Sequence, residues 1–186
     1  MKRLGLAVIF AFLLAQAAFS TIIGLQFEPK AFDDKTYTIL IFDTEDQLKV
    51  KPLESQSYDF AFRDKQGRYE VRYILFSQTG KISDYKTQVA VWCTMVIQNA
   101  TGSDAALKNT SAFKDADVKA EFSADYGLTS FAKDTDSDFT EGYKFVMLNF
   151  FYKKDLGIIC EAILFNDLDF AKTDDFDKVF HSVKFN

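Results

Sequence analysis

The stretch from Gly142 to Phe165 restricts the fold more than any other part of the 186-residue chain. It reads as two strands, Tyr143 to Tyr152 and Gly157 to Phe165, joined by the polar turn Lys153-Lys154-Asp155-Leu156. Successive side chains of a strand point to opposite faces, so a strand that is apolar in both alternating sets needs cover on both sides. In the first strand, Tyr143, Phe145, Met147, Asn149 and Phe151 alternate with Lys144, Val146, Leu148, Phe150 and Tyr152. In the second, Ile158, Cys160, Ala162 and Leu164 alternate with Ile159, Glu161, Ile163 and Phe165, and Glu161 is the only charge. The pattern predicts an α+β fold in which this hairpin lies in the middle of an antiparallel sheet, between two covering layers.

The rest of the composition agrees. The 21 Phe and 8 Tyr make an aromatic interior that favours sheet over helix. A formal net charge of -5, with Lys and Arg interspersed among Asp and Glu, leaves no basic stripe for nucleic-acid phosphates.

The first twenty residues read as a secretory signal peptide. Lys2 and Arg3 precede an apolar run from Leu4 to Leu14, and Ala15-Gln16-Ala17 and Ala18-Phe19-Ser20 both carry small residues at cleavage spacing. The alternative is an uncleaved anchor across Leu4 to Leu25, which would bring the chain into contact with a membrane. The signal-peptide reading places residues 21–186, taken as one α+β domain, outside the cytoplasm. In an oxidising compartment Cys93 and Cys160 are a candidate disulfide, although both lie in apolar segments where free Cys packs as a small hydrophobe.

Along the chain, Thr21 to Glu28 and Thr36 to Phe42 are read as a strand pair closed through Asp33-Asp34-Lys35. Asp43 to Ser57 is a charged loop with one helical turn at Asp46 to Val50. Tyr58, Phe60 and Phe62, then Tyr69, Val71, Tyr73 and Leu75, alternate on either side of Asp64-Lys65-Gln66-Gly67 and form a hairpin. Its other face, opening with Arg68, Glu70 and Arg72, is expected to be wet. Ile82, Tyr85, Val89, Trp92, Cys93 and Val96 share one helical stripe, ending near Gly102, with Trp92 packed on the sheet. Residues 103 to 142 are irregular: a short helix at Ser103 to Leu107, an ambiguous Asp117 to Tyr126 and a strand at Gly127 to Lys133. A loop of such length is either functional or concealing further elements. Thr173 caps a last helix whose first turn holds Asp174, Asp175 and Asp177 and whose buried stripe is Phe176, Val179, Phe180 and Val183.

Signals for chemistry are sparse. Asp134, Asp136 and Asp138 begin like a calcium loop, but Phe139 stands where the turn needs Gly and Phe145 where a closing Glu belongs. The single His181 lacks a second His for a metal or a nucleophile in a recognisable elbow, and reads as a helix-end residue. Asn99 and Asn109 begin glycosylation sequons. No cofactor or metal is expected.

Ala124-Asp125-Tyr126-Gly127, Gly142-Tyr143-Lys144 opening a long strand, the strand at Gly157, an acidic turn and a terminal helix running into Ser182-Val183-Lys184-Phe185 resemble the PsbP/Mog1 type of α/β/α sandwich over residues 117–186. That resemblance implies a central antiparallel sheet flanked by helices and a non-catalytic accessory or assembly role. It carries over no ligand position. The expectation is an exported accessory or binding protein that acts on a protein partner through a surface or cleft. The alternative is a binder of a small apolar ligand such as a lipid, held on an aromatic sheet face of Tyr58, Phe60, Tyr69 and Tyr73. A hydrolase would need two acidic residues brought into one cleft by the fold.

Overall fold

In the computed structural model the described residues are 25–27, 37–41, 58–77, 84–101, 109–133 and 137–185. The signal segment, the helical turn at Asp46 to Val50, the helix at Ser103 to Leu107, Gly102 and the carboxylates of Asp134 and Asp136 lie outside them.

Nine consecutive buried residues, Gly157–Phe165 (β8), form the central strand of a seven-stranded antiparallel sheet. On one side β8 pairs with Phe145–Lys153 (β7), which pairs with Tyr126–Lys133 (β6) and then Thr110–Ala112 (β5). On the other it pairs with Tyr69–Ser77 (β4), then Phe60–Asp64 (β3) and Tyr37–Ile41 (β2). The hairpin expected to be central is central.

Both faces are covered. The seventeen-residue helix Tyr85–Thr101 (α1) lays Val89, Cys93, Val96, Ile97 and Ala100 on Ile74, Ile158, Cys160 and Leu164, with Trp92 against Phe76. On the opposite face, Asp115–Phe122 (α2), a 3-10 turn Leu168–Lys172 and Asp174–Phe180 (α3) cover Tyr69, Val71, Tyr73, Ile159 and Ile163. The result is a three-layer α/β/α sandwich. Thr173 Oγ1 accepts from the Phe176 amide and caps α3, whose first turn carries the three expected aspartates.

Two expectations change. Leu25–Phe27 (β1) does not pair with β2; it joins Val183–Phe185 (β9) in a separate two-stranded sheet, while β2 extends the main sheet beside β3. Val183 accordingly leaves the helix: α3 stops at Phe180 and the chain turns extended after Ser182. The 103–142 stretch also conceals elements, since α2 and β5 occupy part of it.

Gly127 marks the tightest approach in the covering layer. A Cβ there would lie 2.9 Å from Phe113 Cδ2, 3.2 Å from Val118 Cγ2 and 3.3 Å from the Phe150 carbonyl oxygen. Gly127→Ala is therefore expected to destabilise the fold by about 1–3 kcal/mol through overpacking, read as a lower urea midpoint; an unchanged midpoint would show that α2 shifts freely.

Candidate functional site

The expected aromatic ligand face does not form. Tyr69 and Tyr73 point into the core under the C-terminal layer: Tyr69 stacks on Phe170 at 4.2 Å, and Tyr73 Oη lies 2.5 Å from Ser182 Oγ. Tyr58 is buried on the opposite face beside Phe139, with ring centroids 6.3 Å apart. Phe60 opens β3 in register with Tyr73. Alternation alone placed Tyr58 with the others, but it precedes β3 and follows a different path. Cys93 and Cys160 are free and buried in the layer between α1 and the sheet. Burial pushes the Cys93 thiol up to about 12 and Cys160 well above its ordinary range, so both stay protonated packing groups. His181 ends α3, its ring stacked on Phe122 and its Nε2 3.2 Å from Glu121 Oε2.

Two buried polar clusters were not expected as sites. The first lies under α1's face of the sheet, where Glu70 and Arg72 should have been wet and are instead fully buried. The β3–β4 register sets Arg63 opposite Glu70, and Glu70 bridges two guanidinium groups: Arg63 Nε is 2.5 Å from its Oε2 and Arg72 Nε 2.6 Å from its Oε1. Residues 137–143 fold over this pair. Ser137 Oγ donates to the Ala100 carbonyl at the end of α1, and Arg72 Nη1 donates to the Phe139 carbonyl. The Arg72 guanidinium sits between the rings of Tyr58 and Phe139, with Cζ 4.6 and 5.2 Å from their centroids. This cover explains the burial: β4 is an interior strand, and α1's face extends over it through the 137–143 turn.

At the rim of the same cluster stands Glu141, half exposed at a backbone φ of 45°, followed by Gly142 at φ 85°. One oxygen, Oε2, lies 3.2 Å from both Arg63 Nη2 and Arg72 Nη2. The contact to Arg72 is one of charge without hydrogen-bond alignment, and Arg72 Nη2 makes no directed bond. Outside it opens a cavity of about 340 Å³ lined by Arg63, Gly67, Glu141, Gly142, Tyr143 and Asn166. Burial raises the Tyr143 phenol above its ordinary value, with the Glu70 charge adding to the effect, so it remains protonated. Asn166 is fixed at the opposite wall by accepting the Lys144 amide at 3.0 Å.

The second cluster is on the other face. Glu161, the lone charge of β8, is fully buried and its partners are neutral: Ser182 Oγ at 2.7 Å and Asn149 Nδ2 at 3.0 Å, with Thr129 Oγ1 donating to Asn149 Oδ1 at 2.8 Å. Burial pushes its carboxyl up to about 8 despite these bonds. The network ties the central strand to the turn between α3 and β9.

The fold has a solved likeness. It is similar to cyanobacterial PsbP (CyanoP) from Synechocystis. The match has 16% sequence identity and a TM-score of 0.41, and covers 81% of this chain and 93% of that one. The likeness is to the family that the C-terminal element order resembles. No protein-family model and no curated protein matches the chain.

Proposed function

We propose that this chain is an exported, non-catalytic accessory protein that binds a partner through the cavity at the Arg63–Glu141 end of the sheet. One observation carries the reading. Both sheet faces are sealed by the chain's own helices, while polar groups from three separate segments, 63–67, 141–143 and 166, converge on an open cavity at one end. Such convergence of a few polar groups on a concave site is typical of a binding pocket. The lining favours binding over acid–base work. Glu141 is the one carboxylate among the lining residues and is paired with Arg63, whereas hydrolysis by acidic residues needs two carboxyl groups flanking one cleft. Among the described residues, no helix is long and apolar enough to cross a membrane.

The test is photo-crosslinking in the source organism from Asn166 at the cavity and, as a control, from Gln88 on the exposed side of α1. A discrete adduct from Asn166 and none from Gln88 is expected. Adducts from Gln88 alone would move the functional surface to α1 and overturn the reading.

A further inference from the structure

Glu141 occupies its place loosely, and the way it does so points to the ligand. Two guanidinium Nη2 atoms, one from half-exposed Arg63 and one from fully buried Arg72, converge on a single carboxylate oxygen at 3.2 Å. Charge-assisted N–H···O bonds run near 2.7–2.9 Å and a guanidinium favours two parallel bonds, so both contacts are long and shared. Glu70 cannot be the exchangeable group: it is buried and each of its oxygens already serves one arginine. Arg72 Nη2 is left as a buried donor with no directed hydrogen bond, facing the half-exposed residue at the cavity rim. An unmade bond of this kind has a cost that a better-placed acceptor removes.

Resting on the reading of this cavity as the binding site, we infer that it takes a carboxylate group, and that Glu141 is an internal carboxylate which the ligand displaces. An incoming carboxylate can give one oxygen to each Nη2, which Glu141 does not. With Glu141 swung outward, the remaining group of Arg63, Arg72 and Glu70 carries one net positive charge, which favours an anion. Gly142 at φ 85° is the neighbouring residue through which the Glu141 side chain can be re-aimed. The Asn166 side-chain amide in the lining can supply a further donor to a ligand seated there. The carboxylate can come from a small organic acid or from an acidic side chain of a partner protein.

Isothermal titration of the full chain at constant ionic strength separates these sources, using succinate, a short glutamate-containing peptide with a blocked C-terminus, and sodium chloride as the control. Binding of succinate or of the peptide is expected, and whichever binds tighter names the source. Glu141→Gln removes the competing charge and should tighten that binding about tenfold, as expected when a competing state is removed. Arg63→Ala, with a thermal melt to confirm folding, should abolish it. Binding unchanged in E141Q, binding retained in R63A, or a response no greater than to chloride would overturn the inference. If neither probe binds while Asn166 still crosslinks to a partner, the carboxylate assignment fails and the cavity remains the binding site; if crosslinking fails as well, both fall.

Discussion

Between pH 5 and pH 9 the wild-type chain should lose on the order of 4 kcal/mol of folding stability that Glu161→Gln keeps. The Glu161 carboxyl titrates near 8 in the folded chain against an ordinary 4.5. Between those values the folded state holds a proton that the unfolded state has given up. The stabilisation from neutral Glu161 is therefore complete below about 4.5 and is lost as pH rises through about 8. Gln reproduces the neutral acid, since its amide nitrogen can donate to Ser182 Oγ while its oxygen accepts from Asn149 Nδ2. Urea midpoints of the two proteins, measured across this range, check the expectation. Parallel pH profiles would mean that Glu161 meets water or a cation in solution. The first region to loosen at high pH should be α3 and β9, because Ser182 joins them to the carboxyl.

Arg72→Ala should cost about 3–5 kcal/mol, the range for removing one member of a buried ion pair. Glu70 would keep Arg63, but the Phe139 carbonyl and the Tyr58–Phe139 slot would lose their occupant. Arg63→Ala should cost about 1 kcal/mol or less, because its side chain is 39% exposed and solvent screens the charge. Arg72→Met separates charge from volume. It fills the slot without the donors, and should recover only part of the loss. An R72M variant as stable as wild type would show that Arg72 acts by packing alone.

The central hairpin was legible because both alternating sets of β7 and β8 are apolar, and only a strand covered on two sides tolerates that pattern. The cap at Thr173 was legible from one residue and the aspartates after it. The site was not. Arg68, Glu70 and Arg72 alternate with apolar residues and read as a solvated face; what buries the last two is the turn at 137–143, some seventy residues away, whose packing no local pattern encodes. One signal was available: the turn Asp64 to Gly67 fixes the hairpin register and sets Arg63 opposite Glu70, a pairing that hints at a charge network. Glu161 stood out as the one charge of β8, but its neutral partners come from β7 and from the residue before β9, which only the tertiary fold brings together. The aromatic residues misled for a related reason. In a chain this rich in Phe and Tyr, an aromatic face is core wherever a helix can cover it, as the 3-10 turn and α3 cover Tyr69 and Tyr73.

The most direct test of a carboxylate-binding site at this end of the sheet is a backbone amide shift map of the isotope-labelled chain titrated with succinate. Shifts confined to Arg63, Gly67, Glu141, Gly142, Tyr143 and Asn166 are the predicted result. Saturable shifts centred on α1 or on the C-terminal layer, with those six amides unmoved, would contradict it.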